Sequence, residues 1–314
     1  MKRFKKILFV NDCKTERTEA LERTVKLAKT NEAILTVIEA LEEFPSEMQM
    51  AIPSSDLKDF QKIVGQESIE RLENLVAPIK EEGVNVTTKI LWGTPWLEII
   101  REVLRNNHDL VMLSPQKEGK LKELLFGSRI MHLMRKCPCP VWAIKPTKPK
   151  KYERILAAVD MVPLNDERNS LNMKIMGLST SLASSEKSEL HVVHCWQHFY
   201  ERMLRGRSGL RQEDVNKIIL EAKNTHKKWL NQLIKRFHIE DLSIKAYLLE
   251  GEPGELIVQL ANKKRIDLVV MGTVSRTGLA GFFIGNTAEK VLHGINCSVL
   301  AVKPDGFVTP VTLD

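Results

Sequence analysis

The sequence passes through one order of motifs twice. Lys6-Ile7-Leu8-Phe9-Val10-Asn11-Asp12 matches Arg154-Ile155-Leu156-Ala157-Ala158-Val159-Asp160 at an offset of 148, and Ile34–Ala40 matches Leu190–Trp196 at 156. Gly93–Ile99 falls on Gly251–Ile257, Asp109–Leu113 on Asp267–Met271 and Cys139–Pro146 on Cys297–Pro304, all at 158. On this alignment the second copy has gained ten residues, eight of them before its second strand. A long-period repeat of this kind sets the fold before any local reading begins, because both halves must solve the same packing problem. The 314 residues thus divide into two domains of ordinary size.

Within each copy, short runs rich in Ile, Val and Leu alternate with helical stretches, the order of β-α-β units on a parallel sheet. Each copy is expected to hold five strands. Leu171, Ile175, Leu178 and Leu182 repeat at steps of four, three and four, as do Val215, Ile219 and Ala222 up to their last member, so both stretches form helices with one apolar stripe. Pro95 and Pro253 each follow a glycine by two residues and suit the first turn of a helix, where the missing N–H costs no bond. The stretch Lys145–Lys151, with Pro146 and Pro149, reads as a linker. The domains are placed at 1–147 and 152–305, followed by a tail, 306–314.

The balance of 47 basic and 40 acidic side chains leaves a net charge of +7. From Glu201 to Arg236 ten basic residues stand against four acidic ones, so almost the whole excess lies in that one segment. Such a segment is either a solvated helix face or a dock for nucleic acid or anionic lipid. Five cysteines, Cys13, Cys137, Cys139, Cys195 and Cys297, are odd in number and scattered, which points away from a disulfide framework and toward a reducing cytoplasm. No apolar run approaches the roughly 18 residues of a membrane span.

In open parallel sheets ligands bind beyond the carboxyl ends of the strands. In the second copy the fourth strand runs into Gly272-Thr273-Val274-Ser275, and Gly285-Asn286-Thr287 opens the next helix. Glycine lets a phosphate approach the backbone, and the N–H groups of a helix start favour an anion. Asp160, at the end of the first strand of this copy, can accept hydrogen bonds from a ribose or a base. The competing reading is a plain turn with Asn286 or Thr287 as the helix cap.

At this loop the sequence resembles the universal stress protein family. The family's nucleotide-binding members carry Gly, two residues, Gly, nine residues, then Gly followed by Ser or Thr. Here Gly272, Ser275 and Gly285-Asn286 reproduce the spacing, with Ser for the second Gly and Asn for the final hydroxyl residue. The first copy has Ser114, Lys117 and Gly127-Ser128, and Pro115, Glu118 and Glu123 make its loop stiffer and more acidic. Further likeness to tandem members lies in His132–Pro138, Gly285–Glu289, Val302–Asp305 and Thr309–Val311.

The resemblance implies an α/β protein of two tandem Rossmann-like domains of the adenine nucleotide alpha hydrolase-like kind. Each would be a five-stranded parallel sheet flanked by helices, and the two would pair as a single-chain pseudo-dimer. It further implies cytoplasmic stress protection, including resistance to DNA damage, and links to motility and adhesion. The expected ligand is ATP or another adenine nucleotide, held in the second domain by Asp160, Gly272, Thr273, Ser275, Gly285, Asn286 and Thr287. The alternatives are an apolar ligand, docking of the basic segment on nucleic acid or anionic lipid, and slow nucleotide hydrolysis.

Other candidates carry less. His191 and His194 fall on opposite faces of a strand, poor geometry for one metal ion with Cys195 or His198. Cys137-Pro138-Cys139-Pro140 lacks a second cysteine pair and reads as the turn into a fifth strand. Trp92 and Trp96 line an apolar pocket or, as is commoner, belong to the core. No Walker-type loop is present, no catalytic triad can be assigned from one sequence, and neither a catalytic residue nor a metal ligand is named.

Overall fold

A computed structural model describes residues 3–12, 16–115, 126–146, 151–161, 166–197, 211–273 and 284–313. These fall into two compact units. The first spans the chain to Lys150 and takes in Phe307–Asp314, and the second spans Lys151–Thr273 and Gly285–Gly306. Ser275 and His198 lie outside the described residues.

In the first unit, strands β1 (Lys6–Val10), β2 (Ile34–Leu41), β3 (Val86–Trp92), β4 (Leu110–Leu113) and β5 (Val141–Ala143) form a parallel sheet in the order β3-β2-β1-β4-β5. Helices α1 (Glu19–Asn31), α2 (Ser46–Ala51), α3 (Ser54–Glu81), α4 (Pro95–Asn106) and α5 (Ser128–Lys136) connect them. The second unit repeats the plan. Strands β6 (Arg154–Val159), β7 (Glu189–Trp196), β8 (Ile244–Glu250), β9 (Leu268–Gly272) and β10 (Ser298–Val302) lie in the order β8-β7-β6-β9-β10, all parallel. Its helices are α6 (Asp166–Glu186), α7 (Gln212–Arg236), α8 (Pro253–Lys264) and α9 (Asn286–Gly294). The expected pair of five-stranded α/β sheets is therefore present.

Local chemistry explains the repeated boundaries. Gly93 and Gly251 end their strands at φ 134° and 136°, a region that side chains avoid, and Pro95 and Pro253 start the helices that follow. Asp109 accepts from the backbone N–H groups of Lys5 (2.6 Å) and Lys6 (3.1 Å), and its repeat mate Asp267 accepts from Glu153 (2.7 Å) and Arg154 (2.9 Å). Each carboxylate ties the amino end of one central strand to its neighbour. Of the two helical stripes, Ile175, Leu178, Leu182 and Val215 are buried, while Leu171, Ile219 and Ala222 are half-buried.

Strand pairing corrects the offset of the second strand. Lys6 pairs with Ile34, while Arg154, its equivalent at 148, pairs with Glu189. The β2-to-β7 offset is thus 155 and not 156. The second copy gains seven residues before its second strand and three more before its third. Both strands are apolar along most of their length, so a slip of one residue still aligns hydrophobic with hydrophobic. It nevertheless exchanges the two faces of the strand. In the correct register Glu39 is equivalent to His194, and Arg71 on α3 to His226 on α7.

Candidate functional site

The carboxyl ends of β6 and β9, neighbouring strands of the second unit, carry the residues singled out in the sequence. Asp160 directly follows β6. Its N–H donates to Asn172 Oδ1 (3.0 Å) and its carbonyl accepts from Asn172 Nδ2 (2.8 Å), so one amide on α6 clamps the backbone on both sides. Asn172 is 3% exposed, which makes this clamp part of the core.

Gly272 closes β9. A Cβ there would stand 2.7 Å from Leu171 Cδ2, so any larger residue at this position requires the Leu171 side chain to shift. Thr273 is buried, its N–H reaches Val302 O at 3.4 Å, and its hydroxyl accepts from Lys303 Nζ at 2.8 Å. It enters the site as a wall joined to a buried ammonium group. That ammonium follows β10, and the Lys303 carbonyl in turn accepts from Lys174 Nζ at 3.3 Å.

Gly285 is the N-cap of α9, with no side chain capping the helix, although Asn286 and Thr287 both belong to residue types that cap well. Asn286 is exposed and Thr287 half-buried. The first N–H groups of a helix have no acceptor inside it, so this start keeps its capacity to bind an anion. The Gly285 carbonyl accepts from Glu289 N–H at 3.0 Å, which fixes the first turn.

The same strand ends differ in the first unit. Asp12, equivalent to Asp160, is ion-paired to Arg129 near the start of α5, and Arg129 occupies the place that Thr287 has in the second unit. Glu39, fully buried, accepts from Arg71 Nη2 (2.7 Å) and Nε (3.3 Å) and from Asn11 Nδ2 (2.9 Å). Two guanidinium groups thus satisfy the carboxylates of this crevice from within the chain.

In the second unit the place of the Glu39–Arg71 pair is taken by two imidazoles. His194 Nε2 and His226 Nδ1 lie 2.8 Å apart, one donating to the other. His194 Nδ1 faces Val159 O at 3.3 Å and Met161 N at 3.4 Å, beside Asp160. Trp196 and Trp229 pack around His226 at ring separations of 5.2 and 5.0 Å. The sequence reading missed this cluster. Its signal was a shared spacing of 32 residues, from 39 to 71 and from 194 to 226, hidden by the one-residue slip.

His191 points the other way, stacked on Tyr247 at 5.6 Å with its Nδ1 3.0 Å from the phenol oxygen. The two histidines are on opposite faces, as strand alternation requires. Among the described residues no group of three or more His, Cys, Asp or Glu is placed to hold a metal ion. Burial, with the carboxylates of Glu252 and Asp160 nearby, pushes the Cys195 thiol up to about 12, so it stays protonated and is a poor nucleophile. Cys137 ends α5 and Cys139 leads into β5, with their sulfurs 3.5 Å apart. Neither Trp92 nor Trp96 is core: both are half-buried, Trp92 against Phe44 at 6.2 Å and Trp96 stacked on His132 at 4.6 Å.

Comparison with known proteins agrees with this architecture. The chain is 28% identical over 316 aligned residues to universal stress protein E of Escherichia coli (strain K12), covering all of this chain and 98% of the relative. It is 27% identical to universal stress protein E of Photorhabdus laumondii, with 99% and 98% covered. A crystal structure described as a functionally unknown protein, PA1789 from Pseudomonas aeruginosa PAO1, superposes with a TM-score of 0.73 at 24% identity, covering 98% of this chain and 95% of that one. No helix among the described residues is long and apolar enough to cross a membrane. The sequence pattern of the universal stress protein family matches residues 3–145 and again residues 151–303, and the chain belongs to that family.

Proposed function

We propose that the second unit binds a small phosphorylated ligand, an adenine nucleotide in the first instance, and that the protein serves cytoplasmic stress and DNA-damage resistance as a binding protein. The observation that carries this reading is the contrast between the two copies. In the first, Arg129 closes on Asp12. In the second, Thr287 stands in place of that arginine, beside the uncapped start of α9. The Asp160 carboxylate would accept from the sugar or base, while Gly285, Asn286, Thr287, the backbone of Gly272 and Ser275 would line the phosphate side. Thr273 and Lys303 would back that wall with a buried positive charge.

Isothermal titration with ATP and AMP tests the reading. The expected result is one site per chain, lost in Asp160→Ala. Absence of heat at high micromolar concentrations of both nucleotides removes the nucleotide and leaves an apolar ligand or none. Phosphate release that disappears in Asp160→Ala would turn the binding protein into a slow hydrolase.

A further inference from the structure

We infer that the outer face of α7 is a docking surface for a nucleic-acid backbone, distinct from the nucleotide site. From Lys223 to Arg236 the helix carries Lys223, Lys227, Lys228, Lys235 and Arg236 and no carboxylate. Among the described residues none of these five forms an ion pair. Elsewhere Lys29, Lys80, Lys89, Lys245 and Lys290 have carboxylate partners, while other unpaired lysines among the described residues, such as Lys58 and Lys263, are scattered over other helices. The acidic residues of α7, Glu213, Asp214 and Glu221, all come earlier, and Asp214 is taken up by Arg211 at 3.1 Å. The uncompensated charge is therefore concentrated on the carboxyl-terminal half of one helix.

That half also carries a row of hydrogen-bond donors. Asn224, Lys227, Lys228, Asn231, Gln232 and Lys235 line a shallow groove of about 430 Å³. Asn224, Lys228, Asn231 and Lys235 follow one another at steps of four, three and four residues, so donors recur about every 5 to 6 Å along one face. Lysine ammonium groups neutralise phosphates, and the amides of Asn and Gln donate to phosphate and sugar oxygens; neither reads a base from this position. The contact should be independent of sequence.

A bilayer is the weaker fit. A helix that lies on a membrane inserts an apolar face, but Val215, Leu230 and Leu233 of α7 are already buried within its own unit. Every residue that lines the groove ends in an amide or ammonium group, with the carbon stems supplying the rest of its surface, and the exposed Ile218 and Leu220 belong to the earlier half of the helix.

The test is fluorescence anisotropy of the full chain with a labelled 20-base-pair DNA duplex of scrambled sequence, from 50 to 300 mM salt. Three groove lysines predict log K falling against log salt with a slope of about −3. The triple variant Lys227→Gln/Lys228→Gln/Lys235→Gln should weaken binding at least ~10-fold at 50 mM salt and flatten the slope. Lys58→Gln/Lys62→Gln/Lys263→Gln, with the same loss of net charge, should stay within about two-fold of the parent. No binding at 50 mM salt overturns the inference, as does equal weakening by the two triple variants. Co-sedimentation with phosphatidylglycerol vesicles that competes with the duplex would assign the surface to lipid and overturn it likewise. Circular dichroism of both variants verifies that they are folded.

Discussion

Replacing Glu102 by Gln keeps the side-chain volume and the bond from Asn106 Nδ2 (2.7 Å) and removes the charge together with the oxygen that accepts from Lys89 Nζ. Glu102 sits on α4 with 2% of its side chain exposed, 2.6 Å from Lys89 Nζ on β3 and 3.7 Å from His108 Nε2. Burial by itself would raise its pKa, but the partnership of His108 and Lys89 outweighs burial and holds the carboxyl at about 2, against an ordinary 4.5. A depression of that size corresponds to about 3 kcal/mol of folding stability, at about 1.4 kcal/mol per pH unit. Lys89 is 44% exposed, so screening makes this an upper figure.

The sign follows from the direction of the shift. A carboxylate with a lowered folded-state pKa contributes fully above about 4.5, and its contribution fades as pH falls toward 2. Glu102→Gln should therefore cost up to about 3 kcal/mol at pH 7, and the difference from the parent should shrink below pH 4 until the two converge near pH 2. Urea unfolding at pH 7, 5, 4 and 3, with amide exchange in β3 and α4 to isolate the first unit, measures it. A penalty that is the same at pH 7 and pH 3 would refute the electrostatic argument and leave only packing. The second unit has no counterpart of this carboxylate, because Leu260, Tyr247 and Ile266 stand where the first has Glu102, Lys89 and His108.

Arg71→Met should destabilise the first unit by about 3 to 5 kcal/mol, because it leaves the fully buried Glu39 carboxylate without its counter-charge; urea unfolding at pH 7 reads this, and a loss below about 1 kcal/mol contradicts it. Gly254→Ala should cost the second unit about 1 to 3 kcal/mol, since the added Cβ would stand 2.8 Å from Lys290 Cβ and push α8 and α9 apart; an unchanged melting temperature would show that the helices yield freely. With its pKa pushed up to about 12 by burial, Cys195 should resist iodoacetamide in the native protein at pH 8 and react on unfolding; fast native labelling at that residue would contradict its burial.

The repeat made most of the architecture legible. Pairs such as Gly93 and Gly251 or Pro95 and Pro253 act through φ preferences and helix-start chemistry that need nothing distant, and they mark strand ends and helix starts as read. The candidate ligand residues were readable for the same reason, being an acid at a strand end and a glycine before a helix. The crowding of Gly272 by Leu171 was not readable, because Leu171 comes from another element about a hundred residues earlier.

The sequence alone determined two parallel α/β sheets and the helix starts at Pro95 and Pro253 from local preferences and a repeated order, and motif spacing pointed to the family and nominated the second copy for binding. Only the tertiary structure decided the register of the second strand, because apolar side chains tolerate a slip of one residue while hydrogen-bonded pairing does not. The tertiary structure alone also joined Asp12 to Arg129 across 117 residues, Glu39 to Arg71, and His194 to His226. These contacts distinguish the two copies. Each depends on side chains brought together by sheet order and helix packing, which no spacing within one copy encodes.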